Sequence, residues 1–159
     1  MKKCLIIGNQ ECNAIVKDIE FDGDIISCDG SFFNKENIIC VYRIPEFINK
    51  ISKIPEDTKI IIATSFFQKK NKIPEEFHSR VEFINCENLL GGSIFALEWA
   101  VKNNYDTIYT AGIDFNEKDT NNNFRNKIKD LVFEWLNKDI NIYKVNKNSS
   151  LPVETKFPQ

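Results

Sequence analysis

The sequence predicts an α/β domain, with a mostly parallel sheet of about seven strands and helices on both faces. Two observations carry that expectation. Apolar runs of strand length alternate with helical segments, which is the pattern of a parallel sheet covered on both sides. From Gly91 to Phe115 the order is glycine turn, helix, short apolar strand, then an acid and an aromatic just past the strand's carboxyl end. The length, 159 residues, suits one domain over residues 1–159 with a single core.

Seven apolar runs are the candidate strands: Cys4 to Ile7, Asp24 to Cys28, Ile38 to Tyr42, Lys59 to Thr64, Val81 to Asn85, Thr107 to Ala111 and Ile140 to Val145. Between them Glu11 to Ile19, Pro45 to Ser52, Ser93 to Asn103 and Phe124 to Asn137 read as helices. The last two carry apolar residues at three- and four-residue spacing. In the first of these, Phe95, Leu97, Trp99 and Val101 form one broad apolar face, which leaves Glu98 facing solvent. In the second, Ile128, Leu131, Val132, Trp135 and Leu136 form another such face. Pro74 to Glu76 and Asn116 to Asn123 are polar loops.

Hydrophobic residues make up 42% of the chain, charged residues 28%, and the formal charge is −2, so bulk charge suggests neither nucleic-acid nor membrane binding. Lys138, Lys144, Lys147 and Lys156 make the tail more basic, but Asp139 and Glu154 dilute the run into a solvated surface. The five cysteines (Cys4, Cys12, Cys28, Cys40, Cys86) include no Cys-x-x-Cys pair, and three fall in strand-like runs, as buried reduced thiols of a cytoplasmic protein do. The single histidine, His78, has no cysteine cluster near it in sequence, so no metal is expected. The apolar run after Lys2 and Lys3 is too short for a signal peptide, and no transmembrane segment is expected.

Two glycine turns suit a ligand. The first strand runs into Gly8-Asn9-Gln10, where a glycine admits close approach and exposed amides open the next helix, a generic nucleotide or anion cradle. Neither Gly-x-Gly-x-x-Gly nor Gly-Lys-Ser/Thr is present, which disfavours a dinucleotide fingerprint and a P-loop. Gly91-Gly92-Ser93 brings flexible backbone, a hydroxyl and a helix amino terminus together, and it equally fits a tight loop with Ser93 as cap. Asp114 stands where open α/β sheets meet their ligands, although an N-cap is the plainer role for a strand-end acid. Four strand ends, near Gly8-Asn9, Cys28-Asp29, Tyr42-Arg43 and Gly112 to Phe115, offer polar groups to one crevice.

In this order the residues resemble the small bacterial sialyltransferases that decorate lipooligosaccharides and use a cytidine monophosphate (CMP) sugar donor. That family has Gly-Asn, Cys-Asn, Tyr-Asn-Pro, Thr-Ser-Gly and Ser-Gly-Ile-Asp-Phe elements. Here they are matched by Gly8-Asn9, Cys28-Asp29, Tyr42-Arg43 with Pro45 nearby, Gly91-Gly92-Ser93 and Ala111-Gly112-Ile113-Asp114-Phe115. The resemblance covers most of the first 115 residues and implies a Rossmann-like nucleotide-binding domain and a metal-independent, inverting glycosyltransferase. It also implies that Asn9, Asp29 and Ser93 contact the nucleotide, that Gly91-Gly92 approaches its phosphate or sugar, and that Asp114 and Phe115 border the reacting sugar. Asp29 and Arg43 replace family asparagines, and an arginine at 43 favours a phosphate or carboxylate, or else a surface ion pair.

After Phe115 the family inserts a lid with two tyrosines and a histidine base. Here about eight polar residues follow, and neither tyrosine nor histidine occurs before Tyr143. A carboxylate, Asp114, Glu117, Asp119 or Asp29, is the substitute base. The alternatives are a protein that captures a nucleotide without turning it over, and a small nucleotide hydrolase or deoxyribosyltransferase with Glu98 or Asp114 as nucleophile. Without a lid, a second copy is one way to exclude water, through Phe32, Phe33, Phe66 or Phe67, whose default place is the core.

Overall fold

Leu5-Ile6-Ile7 and Ile60-Ile61-Ile62 are apolar at consecutive positions, and successive strand residues point to opposite faces, so such strands need cover on both sides. The computed structural model describes residues 2–8, 16–28, 36–42, 47–64, 73–85, 90–114 and 122–158. Its strands are β1 (Lys3–Ile7), β2 (Asp24–Cys28), β3 (Ile38–Val41), β4 (Lys59–Ala63), β5 (Val81–Ile84), β6 (Thr107–Ala111), β7 (Asn141–Lys144) and β8 (Glu154–Thr155). Helices α1 (Gly92–Lys102) and α2 (Asn122–Leu136) stand between β5 and β6 and between β6 and β7. The described strands form one sheet in the order β5-β4-β3-β2-β1-β6-β7-β8, and every pairing is parallel.

One face of the sheet packs on α1 and α2. Cys4, Ile6, Ile26, Cys28, Cys40 and Ile108 meet Phe95, Leu97 and Trp99 of α1 and Ile128, Val132 and Trp135 of α2 in one buried cluster. The other face is covered by short helical pieces. Phe47, Ile51 and Ile54, with the 3₁₀ turn Ile51–Lys53, pack on Ile39, Val41, Ile60 and Ile62, while Val16, Ile19 and Phe21 pack on Leu5, Ile7 and Tyr109. The expected helices over Glu11–Ile19 and Pro45–Ser52 lie partly outside the described residues, which take up the chain at Val16 and Phe47. Cys4, Cys28 and Cys40 are buried thiols; Cys12 and Cys86, and Phe32, Phe33, Phe66 and Phe67, lie outside the described residues. Among the described residues no helix is long and apolar enough to cross a membrane.

Three expectations are corrected. Asn122 and Asn123 open α2 instead of ending a loop, and Glu75–Arg80 is a 3₁₀ helix that begins inside the expected loop at Pro74. Helix α1 is enclosed nearly all round, with Ile94 through Ala100 buried without a break. Glu98 is therefore not in solvent: it is 4% exposed, beside Ile84 and Asn85 past the end of β5, and its carboxylate takes Lys102 Nζ at 3.1 Å. A helix crossing the middle of a sheet meets neighbours on its flanks as well as beneath it, which a single apolar stripe does not reveal.

The amino ends of the strands are tied by side chains. Tyr105 donates its hydroxyl to Asp24 Oδ2, Asn37 Nδ2 donates to Asp24 Oδ1 at 2.7 Å, and Ile25 N–H donates to Asn37 Oδ1 at 2.8 Å. Lys2 Nζ lies 4.2 Å from the Tyr105 ring centre and donates to the Asn103 carbonyl at 2.9 Å. Burial, and next the hydrogen bond to Asp24, push the Tyr105 phenol well above its ordinary value of 10.0. Burial, and next the charge of Asp24, raise the Cys4 thiol above its ordinary 9.0.

Both groups hold their protons more tightly folded than unfolded. Their contribution is complete below the unfolded values and is lost as the pH rises through and beyond them. The urea midpoint is expected to be level near neutrality and to fall above about pH 9, with a shallower fall in Cys4→Ala and in Tyr105→Phe. A midpoint as high at about pH 10 as at neutrality would overturn this account. At neutral pH, Tyr105→Phe is expected to cost about 1.5–3 kcal/mol, the usual worth of a hydrogen bond to a charged partner.

Candidate functional site

The strand order reverses between β1 and β6: β2 to β5 extend from one side of β1, while β6 to β8 extend from the other. In open α/β sheets that reversal opens a crevice at the carboxyl ends of the two strands. Gly8 ends β1 there, and its N–H donates to the Ala111 carbonyl at 2.8 Å, extending the β1–β6 pairing by one rung. A Cβ on Gly8 would stand 2.5 Å from the Gly112 carbonyl oxygen and 3.1 Å from Ile113 Cγ1. Gly112 itself has φ 70°, a left-handed conformation that glycine adopts without strain. The two glycines thus let backbone pack directly on backbone where β1 and β6 end, at the base of the crevice.

Past β6 the segment Gly112-Ile113-Asp114 is held by the connection between β7 and β8. Gly112 N–H donates to Asn146 Oδ1 at 3.1 Å, Ser149 donates its hydroxyl to the Ile113 carbonyl, and Ser150 N–H donates to Asp114 Oδ1 at 3.1 Å. Lys144 Nζ closes the connection on itself through the carbonyls of Ser149 at 2.8 Å and Leu151 at 3.1 Å. Ile113 is fully buried and Asp114 exposed, so the carboxylate points away from the core with one oxygen fixed by an amide. This strap is the part of the site that sequence reasoning missed. Its signal was the Asn146-Lys147-Asn148-Ser149-Ser150 run, read for its lysine although Asn and Ser are the residues that bond to nearby backbone in turns.

Helix α1 follows β5, so its amino end rises from the same carboxyl edge of the sheet. Gly91 is its N-cap, with φ 100° and ψ 176°, and its carbonyl accepts the Phe95 N–H at 3.1 Å. The cap is therefore Gly91, and Ser93, the alternative cap, lies inside the first turn with Gly92 before it. Among the described residues nothing stands within 4 Å of where a Gly91 Cβ would be, and its positive φ is the conformation that calls for glycine there. A side-chain-free cap leaves the first-turn amides facing outward as hydrogen-bond donors for an anion.

Of the residues expected in the site, Gly8, Gly91, Gly92, Ser93 and Asp114 all lie at this carboxyl edge. Asn9, Asp29, Arg43 and Phe115 lie outside the described residues, as do Glu117 and Asp119. A cleft of about 360 Å³ borders the strap, between Asn122, Arg125, Asn126 and Lys129 of α2 and Ser150 and Pro152. A larger one of about 430 Å³ lies at the opposite edge, before β3 and β4, among Glu36, Lys50, Lys53 and Thr58. Size favours the second cleft, but strand topology favours the carboxyl edge, and topology is the better guide to a ligand in this architecture. Among the described residues no three His, Cys, Asp or Glu side chains gather as a metal site.

The glycine floor makes a direct prediction. Gly8→Ala is expected to lower stability by about 1–3 kcal/mol, because the atom in the way is a backbone carbonyl that cannot swing aside. Unfolding in denaturant measures it, and an unchanged midpoint would mean that β1 and β6 separate beyond their last paired residues.

No protein-family model, curated protein or solved structure matches this chain, so the functional argument rests on its own residues and geometry.

Proposed function

We propose that this domain binds a nucleotide sugar in the crevice between the ends of β1 and β6 and transfers the sugar, as a sialyltransferase-like glycosyltransferase with a CMP-type donor. The observation that carries the reading is the strand-order reversal floored by Gly8 and Gly112, with the glycine-capped amino end of α1 at the same edge. The strand-order reversal is where this architecture meets its ligands, and a helix amino end supplies amides and a partial positive charge for a phosphate. The Gly-Ile-Asp-Phe segment and the ordered resemblance supply the donor class.

On this reading the reaction is a single displacement. An acceptor hydroxyl oxygen attacks the anomeric carbon, the bond from that carbon to the phosphate oxygen breaks, CMP leaves, and the configuration inverts. The hydroxyl proton goes to a carboxylate, and Asp114 is the candidate, since it follows β6 at the carboxyl edge, is exposed, and has one oxygen fixed by Ser150 N–H. Asp114→Asn isolates that role, because the amide oxygen can still accept from Ser150 N–H and keep the strap in place.

A second reading, capture of a nucleotide without turnover, is favoured by the same hydrogen bond: an acid that anchors a strap has a structural reason to be there. Calorimetric titration with CMP, CDP, UMP, UDP, AMP and ADP, followed by mass spectrometry of each ligand, separates the readings. Selective CMP binding is expected, with turnover of CMP-sialic acid toward a panel of sugar acceptors. In Asp114→Asn the transfer rate is expected to fall by roughly two to four orders of magnitude, with CMP affinity kept. Tight CMP binding with the donor recovered intact selects capture. No nucleotide binding at all, or full transfer by Asp114→Asn, would sink the assignment.

A further inference from the structure

The cleft beside the strap has a chemistry of its own. Asn122, Arg125, Asn126 and Lys129 fall at i, i+3, i+4 and i+7 of α2 and therefore share one helix face. That face turns toward Ser150 and Pro152 across a space of about 360 Å³. The lining residues described there include two cations, two side-chain amides and a serine, and none is acidic. Ile128, 1% exposed, closes the inner side, so the polar groups stand over an apolar floor. The cleft at the other edge of the sheet differs, since Glu36 stands there with Lys50 and Lys53.

From this composition we infer that the α2 cleft is an oxyanion subsite, taking a phosphate or carboxylate group. A guanidinium offers a planar pair of donors that matches either group, an ammonium adds a point charge, and the amides and hydroxyl complete a donor-rich wall. Asn122 and Arg125 lie in the first turn of α2, where the helix dipole also favours a bound negative charge. Among the described residues, Asp114, whose Oδ1 accepts the Ser150 N–H, and Asp130, an exposed neighbour of Lys129 in sequence, are the acids that adjoin the lining residues by hydrogen bond or in sequence. Ser150 joins the two places: its amide fixes Asp114 and the residue lines the cleft. Resting on the transferase reading, the bound group is the phosphate or carboxylate of the sugar acceptor, held so that its hydroxyl reaches toward Asp114.

The test uses the full chain and two simple probes, inorganic phosphate and acetate, titrated separately at constant ionic strength and followed by ¹⁵N NMR. Saturable shifts are expected at the Ser150 amide and the Arg125 side chain, and the stronger probe identifies which oxyanion the cleft prefers. Arg125→Ala with Lys129→Ala is expected to weaken that binding by roughly tenfold or more. Arg125 is half-buried and Lys129 exposed, and thermal unfolding of the double variant checks that the fold is kept, so that a loss of anion binding is read on folded protein. Absence of saturable shifts for both probes, or equal binding by the double variant, would overturn the inference. So would phosphate shifts confined to Gly91–Ser93. A parallel CMP titration keeps the two proposals apart: phosphate binding in the cleft without CMP binding removes the transferase reading alone, and CMP binding with an unresponsive cleft removes the subsite alone.

Discussion

Position 8 has room for a hydrogen atom and nothing larger, because the carbonyl of Gly112 stands where a side chain would begin. That closeness is what lets β1 and β6 continue one rung past their apolar residues and still turn apart. With β2 to β5 leaving on one side and β6 to β8 on the other, the first and sixth strands become the middle of the sheet, buried on both faces. The cover on the two faces then follows from chain direction: the described parts of the β1–β2, β3–β4 and β4–β5 connections lie on one face, and α1 and α2, which carry the chain the opposite way across the sheet, lie on the other.

The two edges of this sheet are built from different materials. At the amino edge, Tyr105, Asp24 and Asn37 join three strands through side-chain hydrogen bonds, with Lys2 over the tyrosine ring. At the carboxyl edge the work falls to backbone: glycine carbonyls, helix-start amides and a strap whose Asn and Ser side chains bond to main chain. Side-chain clamps fix the amino edge, whereas at the carboxyl edge backbone packs on backbone and side chains bond to main chain. The second arrangement is found where the strand order predicts a ligand.

Much of this could be read in the sequence, for identifiable reasons. β2 and β6 have the bounds their apolar runs suggested, and α1 and α2 lie within two residues of theirs, because those segments are long, periodic and flanked by glycine or asparagine. The carboxyl-edge placement of Gly8, Gly91 and Asp114 was legible as well, since strand ends place residues without any knowledge of contacts. β8 was not legible: Glu154-Thr155 has two residues, both exposed, and owes its pairing to Tyr143 and Lys144 and not to an apolar pattern. The burial of Glu98 was hidden for a related reason. Helical periodicity reports one face, and the neighbours that enclose α1 come from distant parts of the chain.

The strap between β7 and β8 gives the site a temporal order. Asp114 is oriented by Ser150, thirty-six positions later in the chain, and Gly112 by Asn146. A chain emerging from the ribosome completes β1 to β6, with the glycine floor and α1, before the residues that aim the carboxylate have been made. The hydrogen bond that orients Asp114 therefore cannot form until Ser150 has been made, after every residue of β1 to β6.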